Sequence, residues 1–335
     1  MFDSSARAQQ TRKYNLFWYS VFVVIVIGSL AGLYAATLQV DYVWRWNRIP
    51  KYFYYEEQID IRTEIEGVVS SITLNGETAQ IEVSGEDEFT ESYTVPAGGI
   101  VVNENDTVFM GDVLGRETKW QAGLLLVGLW VTLKVSSIAI VFGVILGLLT
   151  GLARISQNPA LRMSAITYIE LIRGSPLLVQ IFIWYFVLGT LINSMLANIG
   201  LGQISPLWFG VASLAIFAGA YVAEIVRAGI QSIHPGQVEA ARSLGMSKYR
   251  AMRHIILPQA FRRILPPLAG QFISMIKDSS LLGVIAIRDL TKATREAVTS
   301  SLQPFELWFL CAILYLVLTF AFSMFVQYLE RKSVQ

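Results

Sequence analysis

Long apolar runs and short alternating ones divide this chain into two kinds of territory. A helix needs about 20 apolar residues to cross a bilayer core. Six stretches qualify: Leu16 to Leu38, Gln121 to Leu152, Ser175 to Leu196, Leu207 to Ile230, Ile264 to Ile287 and Leu307 to Tyr328. Each predicts a membrane span. The segment between the first two reads differently. "IEGVVSSITLNGETAQIEVSG" alternates short β-branched runs around Asn75-Gly76, a hairpin signal, and "NENDTVFMGDVLGRE" repeats the sequence strand, acidic turn, strand. Residues 39–119 are therefore expected to form a compact β-rich insert.

Composition and charge sharpen this division. Hydrophobic residues make up 54% of the 335, and charged residues only 15%, too apolar for a soluble domain of this size. Net charge is +1, yet residues 39–119 hold 16 Asp and Glu against 6 Lys and Arg, so an acidic insert is joined to a basic remainder. Arg7, Arg12 and Lys13 before the first span, and Arg331 and Lys332 after the last, place both termini in the cytoplasm by the positive-inside tendency. That puts the insert outside. The first span is too long for a cleaved signal peptide and reads as an anchor. Cys311, the only cysteine, falls within an apolar run, and His234 and His254 converge with no carboxylates. No metal site, disulfide framework or catalytic triad has anything to build from.

Gly143, Gly147 and Gly151 recur every four residues in the second span, a stripe that admits a close helix neighbour. Residues 288–306 carry Arg288, Lys292 and Arg295 on the side that span counting places outside, offset by Asp289, Glu296 and Glu306, unless the fifth segment is re-entrant. The most informative stretch is 227–263, with seven Lys or Arg and one acid, Glu239. "HPG" at 234–236 predicts a helix start with Pro early in its first turn, and Gly245 predicts its end at positive φ. Ser247 then caps a second short helix that Pro258 is expected to break. Two short helices with a glycine bend would form a protruding cytoplasmic knob.

Glu239-Ala240-Ala241, Gly245 after a further three residues, and Ile255-x-Leu257-Pro258 together resemble the EAA loop of membrane subunits of binding-protein-dependent ABC importers. "IELIRGSPLLVQIF", "YVAEIVRAGIQSIHPGQ" and "MIKDSSLLGVI" are similar to the polar amino-acid branch of that family. The resemblance runs from about Ala122 to Gln327 and leaves out the anchor and the insert. It implies an all-α polytopic membrane protein with a five-helix importer core. It also implies a coupling loop, about 231–263, in which Glu239, Ala240, Ala241, Gly245, Ile255, Leu257 and Pro258 dock on a cytoplasmic ATPase dimer. The implied partners are a second permease subunit, a solute-binding protein, an amino-acid substrate and membrane lipid, with no nucleic acid. ATP and Mg would be bound by the ATPase, since this chain has no G-x-x-x-x-G-K-[ST] loop.

Polar residues inside apolar runs are the remaining candidates. Lys277, Asp278, Ser279 and Ser280 either line a translocation pathway, with a helix starting at Asp278 or Ser279 to face an anionic carboxylate, or form an internal Lys–Asp pair. Glu224 and Arg227, three residues apart, suit a helix-face ion pair or the same pathway. Arg173, Gly174 and Pro176 mark a kink, hinge or gate where an interfacial helix becomes the third span. The expected organisation is tail and anchor over 1–38, insert over 39–119 and permease over 120–335, in a bacterial inner membrane. The rival reading is a membrane-anchored adaptor that presents the β domain to an extracytoplasmic partner.

Overall fold

The computed structural model describes the backbone of residues 4–85 and 89–334, and side chains for 14–85 and 89–328. The side chains of Arg7, Arg12, Lys13, Arg331 and Lys332, and all of Glu86, Asp87 and Glu88, lie outside the described residues. The chain divides into two compact units, 1–46 and 47–335. In the first, helix α1 (Ser4–Gln39) exposes apolar side chains on every face from Tyr14 to Leu38, as a helix surrounded by lipid would. Its end is tied by Trp44, whose indole nitrogen donates to Thr37 Oγ1 at 3.1 Å and whose ring stacks on Trp46.

The second unit begins with β structure. β1 (Tyr54–Arg62) pairs antiparallel with β6 (Val113–Ala122) in a ribbon that brings Tyr54 opposite Ala122. The insert therefore leaves and re-enters the chain at one place. β2 (Gly67–Asn75), β3 (Thr78–Ser84), β4 (Thr90–Pro96) and β5 (Thr107–Val108) form a sheet in the order β4-β3-β2-β5. Alternate residues of these strands, Val69, Ile81, Val83, Val95 and Val108, meet Leu114 of β6 in a buried cluster. Each such side chain contributes about 1.5–3 kcal/mol of burial. The hairpin sits one residue later than the sequence predicts. Asn75 pairs with Thr78, so Gly76-Glu77 form the two-residue turn, and Gly76 alone takes positive φ (+66°), which suits a type II′ turn.

Strand β6 runs to Ala122, so the second span starts at α2 (Leu124–Arg154) and not at Gln121. The intervening Gly123 donates to the Phe53 carbonyl at 2.6 Å, and a Cβ there would lie 2.3 Å from Tyr52 main-chain atoms. Tyr52 is buried with Leu125, Leu290 and Leu307, which fastens the ribbon to the helices.

The helical body contains α3 (Pro159–Arg173), α4 (Leu177–Phe182) and α5 (Thr190–Asn198) joined by a π-helical Ile183–Gly189, α6 (Pro206–Gln231), α7 (Pro235–Ser243), α8 (Lys248–Ala251), α9 (Leu257–Asp278), α10 (Leu290–Ser301) and α11 (Pro304–Val334). With α1, five helices are long and apolar enough to cross a membrane, or six if Lys248–Ile285 and Leu290–Ser301, bent by 51°, make one span. The core is the α2–α6 pair. Gly143, Gly147 and Gly151 meet Ala218, Val222 and Val226, and a Cβ on any of them would come within 3 Å of those side chains.

Two further expectations are corrected. Pro258 does not break the helix, because a π-helical turn, Met252–Ile256, precedes it and carries α8 into α9 as one rod. A widened turn relieves the clash between a proline ring and the carbonyl four residues back, and Gln259 Nε2 of the side chain donates to the Ile255 carbonyl at 2.9 Å. No helix begins at Asp278 or Ser279: α9 ends there and tightens into a 3₁₀ segment, Ser279–Ile285. Residues 288–306 are mostly the helix α10, with Leu290, Ala293, Thr294 and Ala297 buried. Asp289 caps it, accepting from the amides of Thr291 (2.9 Å) and Lys292 (3.3 Å).

Candidate functional site

The basic stretch between α6 and α9 folds into an elbow. His234 caps α7 by accepting from the Gly236 amide, and Pro235 occupies its first position, where a missing N–H costs nothing. At the far end, Gly245 (φ +78°) donates to the Arg242 carbonyl at 2.9 Å and Met246 to the Ala241 carbonyl at 3.1 Å. This bond pair is a Schellman stop, which needs a residue comfortable at positive φ. Ser247 restarts the chain as α8, accepting from the Arg250 amide. The elbow is mounted on the bundle by Val226, Ile230 and Ile233 packed against Ile256, Ala260 and Ile264.

Its outer surface differs from the one the residue types suggest. Glu239, Ala240, Gly245, Leu257 and Pro258 are exposed and Ile255 is half-buried, but Ala241 is buried, packing the elbow from inside. The most exposed large apolar residues of the elbow are Leu244, 82% exposed, and Tyr249, 70% exposed, flanked by Arg242, Lys248, Arg250 and Arg253. Sequence reasoning passed over both, because an isolated Leu and Tyr in a basic segment carry no periodic signal.

At the foot of the elbow one carboxylate collects three guanidiniums. Glu224 contacts Arg154, accepts from Arg227 Nη2 at 2.9 Å, and lies 4.0 Å from Arg173. Arg227 and Glu224 thus form the helix-face pair that their spacing suggests, and α2 and α3 join it. Arg173 also lies over the Tyr221 ring, 5.2 Å from its centroid. The Gly174–Pro176 break is braced, since the Gln180 amide donates to the Ile172 carbonyl and to Ser175 Oγ. Tyr168 on α3 donates to the Ile216 carbonyl at 2.6 Å, and burial pushes its phenol up to about 12, so it remains a donor at neutral pH.

Farther along the α8–α9 rod, Lys277, Ser280, Thr291, Trp308, Cys311 and Tyr315 line a cavity of about 250 Å³. The Lys277 ammonium is exposed and has no hydrogen bond or ion pair among the described residues; its neighbour Asp278 feels its charge but does not bond it. Ser279 is buried and donates to the Ile276 carbonyl at 2.8 Å. A second cation, Lys134, stands exposed ten residues into α2 and was missed in the sequence because it lies within a strongly apolar run. Two ammonium groups within apolar helices, neither with a hydrogen bond or ion pair among the described residues, are costly unless water, substrate or another subunit meets them.

Comparison with known proteins decides the family. The family described as "Binding-protein-dependent transport system inner membrane component" matches residues 140–335, a region that includes the elbow, the Glu224 cluster and the Lys277 cavity. The chain belongs to this family. The permease is 38% identical over 209 residues to the glutamine transport system permease protein GlnP of Escherichia coli (strain K12), covering 62% of this chain and 92% of that one. It is 40% identical over 205 residues to the probable glutamine ABC transporter permease protein GlnM of Bacillus subtilis (strain 168), covering 61% and 91%. Among solved structures, an amino acid ABC transporter with histidines matches at 42% identity and a TM-score of 0.55, covering 62% of this chain and 94% of that one. The MetNI methionine ABC transporter, at 19% identity and a TM-score of 0.53, shares the fold. The permease is a multi-pass, mostly helical membrane protein with a β-rich insert, and the anchor and insert precede the matched region.

Proposed function

We propose that this permease is the membrane half of an ATP-driven importer of polar amino acids, and that the α7–α8 elbow is where a separate ATPase drives it. The observation that carries the reading is the elbow itself: a rigid, basic projection with Leu244 and Tyr249 exposed, held between two long apolar helices. Apolar anchors ringed by charge are what a docking surface needs, the charges setting orientation and the anchors supplying affinity. Glu239, Ala240, Gly245, Ile255, Leu257 and Pro258 belong to this coupling region, and Ala241 supports it from within. The glutamine permeases among the relatives support polar amino acids as cargo. ATP and Mg belong to the ATPase.

Two permease subunits, identical or homologous, enclose the pathway, because one set of about five spans cannot surround it alone. A soluble solute-binding protein delivers substrate at the outer face. Lys277, Ser280 and the hydroxyls of Thr291 and Tyr315 suit an α-carboxylate entering their cavity, with Asp278 beside it and Ser279 a structural support. Glu224 and Arg227 act in the latch at the elbow's foot, and Arg173, Gly174 and Pro176 form a braced kink beside it. The chain divides into tail and anchor (1–38), acidic insert outside (39–119) and permease (120–335), with both termini in the cytoplasm.

The test is purification of the full chain in mild detergent, followed by reconstitution. An ATPase and a permease should accompany it, and vesicles should accumulate labelled glutamine only with ATP. An insert-dependent complex with no ATPase and no uptake would favour the adaptor reading instead.

A further inference from the structure

The ends of α2, α3 and α6 enclose a second cavity, of about 370 Å³, that transport leaves unused. Arg154, Arg162, Arg227, Ser156 and Gln231 line it. Among the described residues Glu224 is the one carboxylate in contact with these arginines; it touches Arg154 and Arg227, while Glu170 of α3 is exposed and does not line the cavity. Three guanidiniums against one carboxylate leave two positive charges uncompensated. The Arg162 side chain is exposed and makes no hydrogen bond or ion pair among the described residues. The polar lining is therefore a set of donors in search of an oxyanion, and a guanidinium fork matches a phosphate's geometry.

Position selects the source of that oxyanion. Arg154 closes α2, whose last turns expose Leu148, Leu149 and Leu152. Helix α3 is not among the helices apolar enough to span, yet it exposes Leu161, Met163 and Leu171 along with Arg162, the composition of a helix lying in a membrane interface. A phosphate reaching the cavity at that depth brings acyl chains, and the bare apolar end of α2 is there to receive them. Basic pockets between spans at the headgroup level bind anionic lipid.

We propose that the Arg154–Arg162–Arg227 cavity binds the phosphate of an anionic phospholipid headgroup. A zwitterionic lipid fits less well, because its own cation opposes the two excess positive charges. The bound phosphate bridges α2, α3 and α6 beside the Glu224 latch, so the lipid stiffens the foot of the elbow.

Native mass spectrometry of the full chain, purified with its associated subunits and titrated with phosphatidylglycerol or phosphatidylcholine, tests this. Phosphatidylglycerol should be retained preferentially. R162Q should weaken its retention about five-fold, the effect of one cation near an anionic headgroup, while R162K should keep it. Because the Arg162 side chain bonds to nothing else among the described residues, R162Q leaves the fold intact, checked by an unchanged melting temperature. Excess inorganic phosphate should not displace the lipid. Equal retention of both lipids, or retention indifferent to R162Q, overturns the proposal, and full displacement by inorganic phosphate reassigns the cavity to a free oxyanion and overturns the lipid.

Discussion

Replacing Gly245 isolates what the elbow contributes. No atom lies within 4 Å of where a Cβ at Gly245 would sit, so substitution there creates no clash with neighbours. The penalty is local and conformational: φ is +78°, where an L-residue with a Cβ costs about 1–2 kcal/mol. Two main-chain bonds depend on that φ, from Gly245 to Arg242 and from Met246 to Ala241. Each contributes about 0.5–1.5 kcal/mol net, so relieving the strain by giving them up gains little. Strain and stop are thus matched in size, and the elbow of a substituted chain populates bent and frayed forms together, with a ratio shifted about 5–30-fold. Asn tolerates this region best, Ala less and Val least. In proteoliposomes measured for ATP hydrolysis and uptake together, molecules of uptake per ATP should fall in the order Gly245→Asn, Gly245→Ala, Gly245→Val. The melting temperature should stay put, because the α2–α6 core is elsewhere. Unchanged coupling in Gly245→Val, or a collapse of the whole fold, would refute the reasoning.

Other sites give sharper structural readouts. Glu224→Gln removes the carboxylate that Arg154 and Arg227 share and should lower unfolding stability in detergent by about 2 kcal/mol, as for a charge-assisted hydrogen bond; an unshifted melting curve counts against the latch. Gly147→Ala places a Cβ 2.5 Å from Val222 and 2.8 Å from the Gly219 carbonyl, so it should cost about 1–3 kcal/mol. Gly270→Ala, in open space on α9, should gain up to about 1 kcal/mol from helix propensity, and the two variants must move the melting temperature in opposite directions. Lys277→Met removes an unpaired cation and should stabilise the chain while raising KM for uptake about ten-fold; uptake with unaltered KM would remove Lys277 from the substrate's path.

What could be read in advance followed from local chemistry. The long apolar runs, the helix start at "HPG", the cap at Ser247 and the positive φ at Gly245 are decided within a few residues of themselves. The Glu224 cluster was half legible: Arg227 is three residues away, but Arg154 and Arg173 arrive from other helices, and no spacing rule joins them. Ala241 seemed surface because its neighbours are polar, whereas the tight stop after Ser243 folds it inward.

The two largest misreadings, at Pro258 and at Ser279, share a cause and carry one consequence. Both applied a terminus rule to a place where the helix changes its winding instead of ending: it widens to a π turn before the proline and narrows to 3₁₀ after Asp278. Lys248–Ile285 is therefore a single rod with the elbow at one end and Lys277 near the other, separated by 29 residues, or about 44 Å at 1.5 Å per residue. A knob broken off at Pro258 would need intermediaries to reach the cavity. A continuous rod needs none: displacement at α8 reaches Lys277 along one helix, apart from whatever bend is absorbed at Pro266 and Pro267, where two successive backbone donors are missing. Replacing both prolines with alanine should restore those hydrogen bonds and stiffen the rod. The expected result is preserved folding with an altered ratio of uptake to ATP hydrolysis in proteoliposomes, and a ratio equal to that of the unaltered permease would show that the rod does not bend there during transport.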